Sequence, residues 1–132
     1  MSEDAIKVLV LEDDPAHSEV IRRSLISSSE IRDVKFVSSV KHFSEALEEH
    51  SPDISLVDFK LEDGTAFDVL SSERPMVMMT SQGDENSAVR AIKEGALDYI
   101  VKSKDAFSVL PGTLIRCYQQ WRLAEQAKNA EI

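Results

Sequence analysis

Glu12, Asp13, Asp58, Thr80 and Lys102 each stand at the end of an apolar run rich in β-branched residues. Those runs occupy positions 6–11, 54–57, 76–79 and 99–101. In an open parallel sheet the strand C-termini line one edge, and ligands bind in the crevice there. Side chains scattered between positions 12 and 102 would then meet at one place. Three carboxylates held together resist ionising unless a cation shares the space. A hard divalent ion such as Mg2+ answers that with oxygen ligands. With a hydroxyl and an ammonium beside them, the chemistry on offer is phosphoryl transfer, one aspartate accepting the group while metal and lysine neutralise it.

The elements needed to bring these residues together are legible in the periodicity. Strand and helix signals alternate, the pattern of βα units around a parallel sheet. The first strand, 6–11, is nearly all apolar and so belongs in the centre, covered on both faces. Asp14-Pro15 predicts an N-cap followed by proline at the first helical position. A second strand is predicted at 34–37, then a helix capped by Ser38 or Ser39 with Phe43, Ala46 and Leu47 inward. A third strand spans 53–58, followed by a loop with Gly64 and a short helix around Phe67, Val69 and Leu70. The fourth strand covers 76–79, a helix runs over 84–94 with Gly95 closing it, and the fifth strand covers 97–101. A last helix is predicted from near Asp105, with Phe107, Leu110, Leu114, Cys117, Trp121 and Ala124 along one face.

Bulk composition narrows the classes. The chain has 132 residues with 42% hydrophobic content, which suits one domain with one core. A net charge of −9 argues against nonspecific nucleic-acid binding. One cysteine, Cys117, precludes an intrachain disulfide and fits a reducing compartment. No run reaches membrane-spanning length, and the acidic start lacks the layout of a secretory signal. The expectation is a cytoplasmic single domain over 1–132, with its core at about 5–122 and a helical tail at about 123–132.

The segments Val-Leu-Val-Leu-Glu12-Asp13-Asp14-Pro15, Ser-Leu-Val-Asp58-Phe-Lys-Leu-Glu-Asp-Gly64, Val-Met-Met-Thr80-Ser-Gln and Asp-Tyr99-Ile-Val-Lys102 together resemble the receiver domain of bacterial two-component response regulators, in its chemotaxis-regulator-like form. The resemblance covers about 5–122. It implies an α/β, flavodoxin-like, doubly wound five-stranded parallel sheet, (βα)5, with strand order 2-1-3-4-5. By that resemblance Asp58 is the phosphoacceptor, Asp13 a direct Mg2+ ligand and Glu12 the acid holding the metal through water. The Lys60 main-chain carbonyl completes the protein ligands. Lys102 pairs with one phosphoryl oxygen and Thr80 hydrogen-bonds another. Tyr99 changes rotamer as Thr80 moves, altering the face made by the fourth helix, fifth strand and fifth helix. Gln82 and Lys60, flanking the pocket mouth, would tune water access.

Implied partners are a sensor histidine kinase or histidine phosphotransfer protein, and a downstream protein target or fused output domain. A dimer through the fourth helix–fifth strand–fifth helix face is a further expectation; direct nucleic-acid or membrane contact is not. The chain would not be an enzyme on a separate substrate, its chemistry being Mg2+-dependent self-phosphorylation and self-dephosphorylation at Asp58. His17, His42 and His50 do not cluster with acids or Cys117 at ligand spacing and are expected as surface or helix residues. Alternatives are a pseudo-receiver that only docks partners, the N-terminal receiver of a larger sensor or output protein, a flavin binder on the same architecture, and a haloacid-dehalogenase-like phosphatase. Glu12-Asp13-Asp14 would repel a flavin phosphate, and the phosphatase Asp-x-Asp-x-Thr signature is missing.

Three departures from the family pattern stand out. Ser103 follows Lys102 where a cis proline is usual, and Glu62 replaces a loop proline. The segment between Asp58 and Thr80 is short, predicting a third helix of about two turns. None removes a candidate site residue.

Overall fold

In the computed structural model, which describes residues 5–130 (of Glu85 only the backbone), the apolar run Ile6–Leu11 is the first strand, β1. There follow α1 (Pro15–Ile26), β2 (Ile31–Val37), α2 (Val40–His50) and β3 (Ile54–Asp58). A short hairpin, β4 (Lys60–Leu61) and β5 (Gly64–Thr65), leads into a 3-10 turn at Ala66–Asp68. The chain continues through β6 (Met76–Thr80), α3 (Glu85–Lys93), β7 (Asp98–Val101), α4 (Lys104–Ser108) and α5 (Leu110–Ala130). The main sheet is ordered β2-β1-β3-β6-β7 and all its pairings are parallel. Counting main-sheet strands alone, this is the expected 2-1-3-4-5 order of a flavodoxin-like, doubly wound (βα)5 sheet. Among the described residues no helix is long and apolar enough to cross a membrane.

Alternation along the strands divides the core in two. Val8, Val10, Val77 and Met79 point to the face covered by α1 and α5, where Ile21, Leu25, Leu110 and Leu114 are buried. Leu9, Leu11, Met76 and Met78 point to the opposite face, against Phe43, Ala46 and Ala91. Both faces of β1 and β3 are therefore closed, and their carbonyl ends open only along the edge beyond Leu11 and Asp58.

Local signals position that edge. The Asp14 carboxylate accepts from the Ala16 and His17 N–H groups, starting α1 immediately after the acids, with Pro15 at its first position. Ser39 caps α2 through the His42 N–H. Beyond the Glu94 C-cap, Gly95 has φ +112, and the Ala96 N–H reaches the Ala91 carbonyl, closing α3 in a Schellman turn. A Cβ on Gly95 would lie 2.5 Å from the Ser72 nitrogen. Gly95→Ala combines that clash with a strained backbone and is expected to cost roughly 1–3 kcal/mol in urea denaturation, a wild-type midpoint contradicting it.

The structure corrects three sequence expectations. β2 begins at Ile31 rather than 34, because an edge strand shows polar residues where it faces solvent. The third crossing holds one 3-10 turn, not two helical turns, capped by Thr65 and Asp68 in a reciprocal box. The final helix is split: α4 ends at Ser108 and α5 starts at Leu110. Pro111 has no N–H to offer the Phe107 carbonyl, which accepts from the Ser24 hydroxyl instead. The helical tail persists through Ala130, and the expectation for residues 131 and 132, like that for residues 1–4, falls outside the described residues.

Candidate functional site

Register along the sheet aligns the strand ends. Leu11 pairs with Val57, Asp58 with Met79 and Thr80 with Val101, so the residues at or just after those ends share one edge. The loops are anchored there: the Lys102 N–H donates to the Thr80 carbonyl at 2.8 Å, and the Phe59 N–H to the Met79 carbonyl at 2.8 Å. Glu12, Asp13, Asp14, His17, Asp58, Phe59, Lys60, Ser81, Asp84 and Lys102 line a cavity of about 180 Å³ at this edge. That is far more than the roughly 10–15 Å³ one water requires.

Inside it, one carboxylate oxygen each from Glu12, Asp13 and Asp58 lie within 4.8 Å of one another. The Lys102 Nζ sits 2.6 Å from Glu12 Oε1 and 3.1 Å from Asp58 Oδ1, with the lysine side chain 9% exposed. Burial, reinforced by the Glu12 charge, pushes the Asp58 carboxyl up to about 7 although Lys102 opposes the shift. Asp13 Oδ2 accepts from the Glu62 N–H at 3.1 Å, which ties the acid to the β4–β5 hairpin. Lys60 reaches across the mouth to Asp84 at 3.7 Å, its own side chain 71% exposed.

Three acids with hard oxygen donors, one of them reluctant to ionise, fit a divalent cation such as Mg2+. A second observation agrees: the Thr80 hydroxyl is buried without a hydrogen-bond partner among the described residues. An unpaired buried hydroxyl is costly and suits a site completed by an incoming acceptor.

The structure thus gathers Glu12, Asp13, Asp58, Lys60 and Lys102 around one cavity, with Thr80 at the end of β6 but not among the lining residues. Tyr99 lies on β7 beside Met78, 41% exposed and outside the cavity. Gln82 is exposed and does not line the cavity. Among the described residues no peptide bond is cis, so the Lys102–Ser103 bond is trans, and Ser103 instead caps α4 through the Ala106 N–H.

His17 is a helix residue on α1 with its side chain 41% exposed, as expected, but it also joins the site, its Nδ1 3.1 Å from Lys102 Nζ and 3.6 Å from Glu12 Oε1. Asp84 and Ser81 at the mouth were also missed. The signal for His17 was available: an N-cap at Asp14 places the residue three positions on back over the strand end. Asp84 carried no such signal, since the loop after β6 has no periodicity to aim it.

The sequence itself matches known proteins. The response regulator receiver domain family model aligns with residues 8–110. The methanogenesis regulatory protein FilR1 of Methanothrix harundinacea is 32% identical over 96% of this chain and 31% of its own length. The acid tolerance regulatory protein ActR of Rhizobium meliloti is 31% identical over 94% of this chain and 66% of its own length. The chain thus spans from under a third to about two thirds of these two relatives. The crystal structure of the phosphorylated cyanobacterial phytochrome response regulator RcpA superposes with a TM-score of 0.72 at 22% identity, covering 83% of this chain and 91% of that one. Family match, strand order and the acidic edge of the sheet agree, and the chain belongs to the response regulator receiver domain family.

Proposed function

We propose that this receiver is a phosphoacceptor switch, with Asp58 the group modified. The observation that carries the reading is the clustering of Glu12, Asp13 and Asp58 oxygens within 4.8 Å, with the Lys102 ammonium on two of the three residues. Asp58 attacks the phosphorus of a phosphohistidine on a sensor kinase or phosphotransfer protein. A carboxylate oxygen–phosphorus bond forms as the phosphorus–nitrogen bond breaks, the electron pair remaining on the donor imidazole. Glu12, Asp13, Asp58 and the main-chain carbonyl of Lys60 would hold Mg2+. When bound, that ion polarises the phosphoryl oxygens and offsets the charge gathered in the cavity.

Lys102 turns one of its N–H donors to a phosphoryl oxygen, and Thr80 supplies its unpaired hydroxyl to another. Movement of Thr80 frees Tyr99 to change rotamer on β7. On the face made by α3, β7 and α5, Val89, Ile92 and Tyr99 are all exposed, which supports its use for output contacts or a dimer. Water attacking phosphorus breaks the Asp58 oxygen–phosphorus bond, releasing inorganic phosphate and the free carboxylate, with Lys60 and Gln82 setting access. Direct nucleic-acid or membrane contact forms no part of this reading. RcpA, of the same fold, is described as phosphorylated, which supports the reading by analogy.

In this reading the chain is one cytoplasmic receiver domain, and output passes through a downstream protein or a fused domain. The shares of FilR1 and ActR that it spans favour a fused domain.

Incubation with a small acyl phosphate and Mg2+ should raise the intact mass by one phosphoryl group, and chelator should abolish the gain. An unchanged mass with Mg2+ would support the docking-only alternative. Asp13→Asn should weaken Mg2+ binding by at least about tenfold in calorimetry, a loss of about 1.4 kcal/mol. Equal affinity would remove Asp13 from the ligand set.

A further inference from the structure

An ammonium has three N–H donors and no acceptor. At Lys102, 9% exposed in its side chain, all three have partners: Glu12 Oε1 at 2.6 Å, Asp58 Oδ1 at 3.1 Å and His17 Nδ1 at 3.1 Å. Because the lysine can only donate, Nδ1 must accept, and the ring proton belongs on Nε2. Two other acids are near Nδ1, Glu12 Oε1 at 3.6 Å and Asp14 Oδ2 at 3.7 Å, both beyond hydrogen-bond length. The imidazole is set by its position in the first turn of α1, begun by the Asp14 cap, and by the Phe107 ring with centroids 6.3 Å apart.

We propose that His17 is a positioning residue for phosphoryl transfer, holding the third donor of Lys102 in line until a phosphoryl oxygen replaces it. The inference rests on the phosphoacceptor reading of Asp58. Of the three acceptors His17 is the one that is not a carboxylate, so its bond to the ammonium lacks the attraction that an ionised acid adds. It is also the most exposed, at 41% of its side chain against 0% for Glu12 and 10% for Asp58. Exchange of the His17 contact for the incoming oxygen therefore costs least and leaves both carboxylate contacts formed. Without the imidazole the third N–H turns to water, and the ammonium is no longer aimed before the donor arrives.

The test compares wild type, His17→Ala and His17→Asn in phosphoryl uptake from a small acyl phosphate with Mg2+. The Asn side-chain oxygen falls near the Nδ1 position and can accept. His17→Ala should lower the limiting rate about three- to tenfold with the donor KM unchanged, and His17→Asn should restore most of it. A wild-type limiting rate in His17→Ala, or an equally slow His17→Asn, overturns the assignment. In a separate arm that needs no phosphoryl group, 15N spectra of the His17 ring should show an Nε2–H, Nδ1-acceptor tautomer. That signature should be lost in Lys102→Met. A protonated Nδ1 in wild type overturns the proposal. A wild type that takes up no phosphoryl group but keeps the expected tautomer defeats the switch reading and leaves the Lys102–His17 contact standing.

Discussion

Asp58→Asn should make the cation-free protein more stable at pH 8, by as much as about 4 kcal/mol. The folded state holds the Asp58 carboxyl proton up to about 7, against an ordinary 3.8. Folded chains therefore bind this proton more tightly than unfolded ones. The associated stability is fully present below 3.8 and is lost as pH rises through about 7. The interval corresponds to about 4 kcal/mol at about 1.36 kcal/mol per pH unit. Asparagine has no proton to lose. Its advantage should thus be absent near pH 4, grow between pH 4 and 7, and level off above. Urea denaturation with chelator at several pH values measures this directly. Mg2+ should narrow the difference, since a ligand that binds the folded wild type stabilises it by mass action. A pH-independent difference would show that Asp58 is not held in its neutral form by its surroundings.

Lys102→Met should act in the opposite direction, with a comparable size. The Glu12 side chain is fully buried and that of Asp58 10% exposed, and Lys102 bridges them. Removing the ammonium leaves two acids facing each other in a low-dielectric edge of the core. Breaking one side of a buried ion pair costs about 3–5 kcal/mol, far more than the pair itself contributes. The loss should appear at pH 8 in chelator and be largely restored by Mg2+, which supplies the missing positive charge. Combining Asp58→Asn with Lys102→Met should recover much of the stability, because the second charge has gone as well. Such non-additivity separates electrostatic coupling from lost packing of the lysine stem. Additive effects would mean that the stem, not the charge, holds this edge together.

The strand ends were readable because both-face burial leaves a signature that needs no partner information. Leu9 and Leu11 pack to one side and Val8 and Val10 to the other, so an unbroken apolar run could only be a central strand. Asp14 and Gly95 were readable for the same local reason: a cap and a positive φ are decided within a few residues. The edge strand was short in the sequence because Arg32 and Asp33 look like a loop until β2 is known to pair with β1 on one side only and to meet solvent on the other. The break at Val109 was hidden by a continuous apolar spacing from Phe107 to Leu114 that passes over it. His17 was the costliest omission. The Asp14 cap places it over the strand end, but that a lysine from beyond the other edge strand meets it there has no periodic trace in the chain.

The most direct measurement is where a phosphoryl group comes to rest. After exposure to an acyl phosphate with Mg2+, borohydride reduction and peptide mass spectrometry should mark Asp58, and should mark nothing in Asp58→Asn or in chelator. Modification mapped to Glu12, Asp13 or a histidine, or appearing at Asp58 without any divalent cation, would contradict the assignment of this cavity.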